Sequence, residues 1–497
     1  MTGLSLLITS GAAMAQPETV TWEPVTWQKL PRWRGFNLLE KFQQPWSGRF
    51  REDDFRMIHE LGFNFVRLPM DYRCWIVDGD WEQINEDVLA EIDEALVFGE
   101  KYGIHVMMNF HRAPGYTVAT PAEAKSLWTD ADAQRVCRMH WQTFARRYRD
   151  VPAERLSFNL FNEPAGVDPE TYIEVCRPIV EAIRAENPDR VIVSDGLGWG
   201  REVTLGLLEL QVAQATRGYS PMGVSHYQAS WVGGADGWPL PVWPQPLANG
   251  LLVNPTKPDM PAVAYLPLTI SGDFTGARAL RFKVGVVSTQ AHLVVRADGR
   301  EIWARDYVSG PGEGEWEEER YVERYDVYQN LWNTTHEVVL PTGAREVEIQ
   351  CMAGDWIRLS ELAVIAEDGT ESAIGLNDGW GGQPAVLVYE DGQIRAEKYN
   401  DRQWLWQNEI MPWQAWEAAG GGVMVGEFGA HNRTPHDVVL RWLEDLLQNW
   451  QEAGWGWAMW NFRGSFGPCD SGRDDVEYED YEGLKLDRAM LDLLQRY

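Results

Sequence analysis

Apolar positions along this chain fall into two textures that alternate. Short runs rich in Val, Ile, Leu and Phe are each followed by a longer stretch in which apolar residues recur every third or fourth position. The first texture is that of a buried strand, the second that of an amphipathic helix. The pattern predicts strands over residues 33–39, 63–69, 104–111, 156–163, 190–194 and 223–228, and helices over 53–61, 85–102, 130–148, 169–186 and 203–209. Gly62 and Gly103 stand just past two of these helices, where a left-handed residue commonly ends the helix. The strand beginning at Leu156 stops abruptly at Asn162-Glu163-Pro164, because Pro164 has no N–H to give to a ladder.

Between residues 236 and 395 the alternation breaks. Short β-branched runs replace it, such as Ala279-Leu280-Arg281-Phe282-Lys283-Val284 and Leu362-Ala363-Val364-Ile365, separated by turn signals at Asp298-Gly299 and Asp368-Gly369. The pattern resumes with helices at 402–419, 435–453 and 487–495 and strands at 423–427 and 455–461. Eight β/α units argue for a parallel sheet closed into a (β/α)8 barrel. The expected architecture is therefore α/β: a TIM barrel over 16–235 and 396–497, with a jelly-roll-like β-sandwich inserted at 236–395.

Composition narrows the chemistry. A net charge of -30 and 74 acidic against 44 basic residues argue against nucleic acid and anionic membranes as partners. The 26 Trp point weakly to carbohydrate, since indole stacks on the apolar face of a sugar ring. Five scattered Cys lack metal-knuckle spacing, and Cys137 and Cys176 fall in helical patterns as core thiols. Residues 1–15 read as an apolar leader ending in Ala13-Met14-Ala15, without a basic start, so a secreted or periplasmic location is expected. No run is long and apolar enough to span a bilayer. The acidic stretch 469–480 lacks the spacing of a calcium loop and reads as solvated. A monomer without cofactor, acting on an oligo- or polysaccharide, is the expectation.

In a barrel, the chemistry gathers where the strands end. Read in order, those ends carry Asn37, Arg67, His111, Asn162 and Glu163, His226 and Tyr227, Glu427 and Trp460. Two Glu from strands four and seven would face each other across the mouth. Glycoside cleavage needs such a pair: one carboxyl protonated, the other ionised. Arg67 would keep Glu427 ionised, Asn162 and His111 would bind sugar hydroxyls, and Trp460 would floor the subsite. Singly, each residue has an ordinary structural role open to it, such as a core His or a packing Trp. A carbohydrate-binding protein on a decayed barrel and a metal-dependent barrel hydrolase are the competing readings. No strand end offers a His-x-His, which disfavours the latter.

Several motifs together resemble those of glycoside hydrolase family 5, the cellulase family: Arg34-Gly35-Phe36-Asn37, Val66-Arg67-Leu68-Pro69, Asn109-Phe110-His111, Phe161-Asn162-Glu163-Pro164, Gly426-Glu427-Phe428-Gly429 and Trp460-Asn461-Phe462. The resemblance covers roughly residues 20–235 and 395–497. It implies a metal-free, retaining mechanism with Glu163 as acid/base and Glu427 as nucleophile, on a β-linked glucan or mannan, whether endo- or exo-acting. The family usually has His-x-Tyr at the end of strand six, with the Tyr touching the nucleophile. Here the order is Ser225-His226-Tyr227-Gln228, so either His226 or Tyr227 keeps that slot, or a bulge shifts the strand. Trp303, Tyr307, Trp316, Tyr321, Tyr325, Tyr328, Trp332 and Trp356 of the insert either bind polysaccharide or fill the insert's own core.

Overall fold

The computed structural model describes residues 22–256, 260–377 and 379–497. The leader expected at 1–15 lies outside the described residues. The chain divides into two compact units, one made of residues before 233 together with Trp406–Tyr497, the other Gly233–Leu405.

The first unit is a closed barrel of eight parallel strands: β1 (Arg34–Asn37), β2 (Phe65–Asp71), β3 (His105–Ala113), β4 (Leu156–Asn159), β5 (Val191–Asp195), β6 (Ala213–Gly218), β7 (Val423–Phe428) and β8 (Gly456–Met459). Each pairs with its sequential neighbour, and β1 pairs with β8 to close the ring. The helices α1 (Glu52–Glu60), α2 (Glu86–Tyr102), α3 (Ala131–Arg147), α4 (Pro169–Glu186), α5 (His436–Ala453) and α6 (Arg488–Arg496) alternate with them. Their ends follow local chemistry. Asn85, Asp130 and Asp168 cap α2, α3 and α4 with side-chain oxygens, and Gly103 ends α2 at φ 66°.

Period-two alternation builds the barrel interior in layers. Phe65, Met107, Val193, Ala215 and Ala458 belong to one buried apolar cluster. Two residues further along the same strands stand Arg67, Asn109, Asp195, Arg217 and Trp460. An apolar plug thus supports a polar layer at the carboxyl ends. Gly35 allows β1 to approach β2, since a Cβ there would meet the Phe65 carbonyl oxygen.

Two elements differ from expectation. The sixth strand is Ala213–Gly218, not 223–228; Met222–Ser225 is a short helix instead. Ala and Gln are weak strand formers, and the tertiary pairing with β5 and β7 overrides that preference. The helix expected over 402–419 is broken into a turn at Arg402–Leu405, a π turn at Trp406–Ile410, a 3-10 turn at Met411–Trp413 and a helix at Gln414–Ala418. Pro412 offers no N–H to continue the ladder.

The second unit is β-rich with its own apolar core. Two long strands, Ala277–Ala297 and Glu346–Ala366, pair antiparallel along most of their length. The first of them pairs on its other edge with Val327–Val339 and then with Arg300–Val308. Tyr307 and Trp332 lie in this core, with Trp303 and Trp316 packed against it, and Trp356 is buried in a smaller cluster. Tyr321 and Tyr325 are exposed. Among the described residues, no helix is long and apolar enough to cross a membrane.

Candidate active site

The polar layer closes on a buried charge cluster. Arg67, fully buried on β2, spends its guanidinium on four neighbours. Nε donates to Asn159 Oδ1 at 3.0 Å, Nη1 to Asn37 Oδ1 at 3.0 Å and Glu427 Oε1 at 2.6 Å, and Nη2 to Asn162 Oδ1 at 2.8 Å. β1 and β7 contribute one fixed acceptor each, and β4 with the turn after it contributes two, so the guanidinium is held in plane before any substrate arrives.

Asn37 therefore has a different task from the substrate contact expected of it. Its amide nitrogen donates to the carbonyls of Gly426, Ala458 and Met459, and its oxygen is taken by Arg67. Fully buried and fully engaged, it joins β1 to β7 and β8. Arg67 is likewise engaged by protein partners, Glu427 among them.

Glu427 enters the site through an irregularity in β7. The register of β7 against β6 shifts between Val425 and Glu427, and beyond the shift Glu427 is opposite Arg217. One extra residue re-aims every side chain after it. Gly426 occupies the irregularity, where a Cβ would lie 2.9 Å from Arg217 Nη1. Besides Arg67, Glu427 accepts from Tyr219 Oη at 3.2 Å and lies 3.5 Å from Arg217 Nη2.

Glu163 sits beyond the end of β4 with φ 50°, a left-handed conformation that costs a non-glycine residue about 1–2 kcal/mol. Neighbours hold it there. Its N–H donates to Asp195 Oδ2 at 2.9 Å, and its carbonyl accepts from Tyr116 Oη at 2.6 Å. Its carboxylate takes Arg217 Nε at 3.0 Å. Burial, followed by the charge of Glu427, pushes the Glu163 carboxyl up to about 7 against the pull of Arg217. Near neutral pH the Glu163 carboxyl can thus hold a proton.

Asn162 gives its oxygen to both Arg67 and Arg217, while its amide nitrogen is buried without a partner. His111 Nδ1, 4.0 Å from Glu427 Oε1, also lacks a partner. Burial and the cations Arg67 and Arg217 hold this imidazole well below its ordinary value, so it is neutral. Its ring stacks on Trp460 at 5.6 Å, and Phe42 packs edge-on against both. An unpaired amide donor, an unpaired imidazole nitrogen and an indole are the groups that a sugar ring would satisfy.

The end of strand six is corrected with the strand itself. Arg217-Gly218-Tyr219 occupies it, and Tyr219 is the tyrosine that touches Glu427. Gly218 is needed between them because a Cβ would collide with Trp450 and Phe428. Tyr227 lies elsewhere, with its hydroxyl accepting from Gln228 and its carbonyl bonded to His431 Nδ1. His226 stands one ring further out, packed edge-on against Tyr219 at 4.9 Å and Phe466 at 5.7 Å. Burial, then the neighbouring His431, lowers it to about 4.

Sequence reasoning missed Asp195, Arg217, Tyr219 and Asn159. One signal was available: Ala213, Ala215 and Arg217 share one face of a strand, as do Val193 and Asp195. Among the described residues, no group of His, Cys, Asp and Glu is arranged to hold a metal ion.

Comparison with known proteins places this geometry in a family. Residues 23–221 match the model of cellulase, glycosyl hydrolase family 5. Endoglucanase C of Acetivibrio thermocellus is 28% identical over 184 residues, 36% of this chain and 53% of that protein. A probable glucan 1,3-beta-glucosidase A of Aspergillus clavatus is 29% identical over 160 residues, 31% of this chain and 38% of that one. The chain thus spans about half the length of the first of these relatives, or less. A crystal structure of a glycoside hydrolase, 27% identical, superposes with a TM-score of 0.60 over 94% of this chain and 99% of that one. Thermotoga maritima Cel5A, 15% identical, shares the fold with a TM-score of 0.53 over 93% and 96%. On the barrel, its motifs and these matches, residues 23–221 carry the cellulase domain of glycosyl hydrolase family 5.

Proposed function

We propose that this protein hydrolyses β-linked glucan with retention of configuration, Glu427 acting as nucleophile and Glu163 as acid and then base. The observation that carries the reading is the contrast between two neighbouring carboxyls. Glu427 receives two arginines and a tyrosine, whereas Glu163 is raised to about 7 and can hold a proton. In glycoside cleavage one carboxyl of such a pair supplies the proton and the other attacks.

In the first step a Glu427 oxygen bonds to the anomeric carbon as the bond to the leaving oxygen breaks. The Glu163 proton passes to that oxygen. In the second step water attacks the same carbon, Glu163 takes its proton, and Glu427 leaves as a carboxylate. Asn162 Nδ2 and His111 offer unpaired nitrogens to sugar hydroxyls, and Trp460 offers a ring face. His226 lines the site behind Tyr219.

Endo-action on glucan is supported by likeness to an endoglucanase, while likeness to a glucan 1,3-beta-glucosidase supports exo-action on the same sugar. A product profile on cellulose, mixed-linkage glucan, mannan and xyloglucan oligosaccharides separates them. Release of shortened oligomers from the interior of mixed-linkage glucan is expected, with Glu427→Gln and Glu163→Gln each reducing turnover at least a thousandfold. No turnover of any of these by the intact protein would leave only a carbohydrate-binding role. Export from the cell fits such a substrate. Of the eight aromatic residues singled out in the inserted unit, Tyr321 and Tyr325 are exposed and Tyr328 is half-buried and outside the apolar core; Trp380 is exposed as well. Their joint replacement by Ala should weaken retention on insoluble glucan if the unit binds it.

A further inference from the structure

Arg217 is the one side chain hydrogen-bonded or ion-paired to both proposed catalytic carboxylates among the described residues. Nε donates to Glu163 Oε1 at 3.0 Å, and Nη2 lies 3.5 Å from Glu427 Oε1. Nη2 also donates to Asn162 Oδ1 at 2.9 Å and to Asp195 Oδ2. Asp195 is wholly buried at the end of β5. It accepts from Asn159 Nδ2 at 2.9 Å and from the Glu163 N–H at 2.9 Å. A buried ion pair of this kind is costly to make and is weak evidence for stability, so it invites a functional account.

We propose that Asp195 and Arg217 are positioning residues that couple the two carboxylates, so that loss of charge at Glu427 is passed through one shared guanidinium to the proton on Glu163. The inference rests on the hydrolytic reading above.

Charge balance within the cluster supports it. Asp195, Glu163 and Glu427 face Arg67 and Arg217, so the fully ionised cluster has one negative charge in excess. One proton neutralises it, and burial together with Glu427 places that proton on Glu163. Once Glu427 becomes a neutral ester, two carboxylates balance two guanidiniums. Glu163 can then give up its proton and act as the base of the second step. The other titratable groups around Glu163 are neutral: Tyr116, which holds its carbonyl, is raised by burial, Tyr219 is raised by burial and Glu427, and His111 is held low. Asp195 also supports the left-handed backbone of Glu163, so one residue fixes both where the acid sits and how strongly Arg217 draws on it.

The test is the pH dependence of kcat/KM on an aryl β-glycoside for the wild-type protein, Asp195→Asn, Arg217→Gln and Arg217→Lys. It is paired with the infrared carboxyl band of Glu163, taken as the difference from Glu163→Gln. Removing the Asp195 charge frees Arg217 for Glu163, so the alkaline limb and the band should move down by about one pH unit. Removing the Arg217 charge should move both up by about as much, and Lys should keep them within about half a unit of wild type while kcat falls. A purely structural pair would lower activity without opposite displacements. A folded Asp195→Asn protein with an unmoved limb and band overturns the proposal. If Arg217→Gln does not fold, Asp195→Asn and Arg217→Lys decide it. If the wild-type protein turns over no β-glycan, the hydrolytic reading fails, and the infrared titration still decides the coupling.

Discussion

Arg67 on the second strand and Glu427 on the seventh meet across the barrel at 2.6 Å, with the arginine side chain fully buried and the glutamate nearly so. The same guanidinium is bonded to Asn37, Asn159 and Asn162, so the first, fourth and seventh strands converge on it. Replacing Arg67 by Met would leave the Asn37 and Asn159 amide oxygens without a partner and take from Glu427 its nearest cation. A stability loss of about 3–5 kcal/mol is expected, the usual cost of breaking a buried pair. Turnover should fall at least a thousandfold. Urea denaturation and single-turnover kinetics measure both, and wild-type stability in the variant would contradict this account of the cluster.

The assignment of strand six distinguishes two tyrosines. Tyr219 donates to Glu427 Oε2, whereas the Tyr227 hydroxyl accepts only from its neighbour Gln228. Tyr219→Phe is expected to lower kcat by about ten- to a hundredfold, the scale of one charge-assisted hydrogen bond, with KM little changed. Tyr227→Phe should leave kcat within about twofold. Equal effects would undo the correction.

Activity should depend on pH through Glu163. The acid must be protonated, and burial with the charge of Glu427 raises it to about 7. Below that value the proton is present; above it kcat/KM should fall about tenfold per pH unit. An alkaline limb near pH 4.5, the value of an unperturbed Glu, would show that Glu163 is not the acid.

Glu40 offers a stability test outside the carboxylate pair. Burial, then the charge of Asp54, raises it to about 7, and its Oε2 is buried without a partner. Below the unfolded value of roughly 4.5 both states are protonated. Between there and 7 the unfolded chain ionises while the native state resists, so native stability is lost as pH rises. Glu40→Gln removes this dependence. Its stability relative to wild type should improve by about 1–3 kcal/mol between pH 4.5 and 8, read from urea midpoints. A pH-independent difference would refute the burial argument.

Much of the barrel was legible because its strands and helices carry strong periodicity. Helices α2, α3 and α4 begin at side-chain caps and fall within one residue of their expected spans. The inserted unit was legible as β, though not its strand lengths. The runs at 279–284 and 292–296 belong to one strand, Ala277–Ala297, whose register shifts accommodate the bends. Strand six was misplaced because Ala213-Gln214-Ala215-Thr216 has little apolar character of its own. Its Ala residues pack inward against a barrel plug that the local sequence does not reveal.

By itself the sequence determined the alternation of strand and helix, the interruption at the insert, and the presence of Glu163 and Glu427 at strand ends. These are local properties: period, caps, Pro and Gly. The tertiary structure alone decided that Asn37 and Arg67 are bonded into the protein, and that Tyr219 rather than Tyr227 reaches Glu427. It also decided that Asp195 and Arg217 join the two carboxylates. The reason is physical. Hydrogen-bond partners and the shift of a carboxyl depend on which strands lie side by side, in what register and how deeply buried. A one-residue irregularity in β7 turns Glu427 toward Arg217, and neither residue betrays that meeting in its own neighbourhood of the chain.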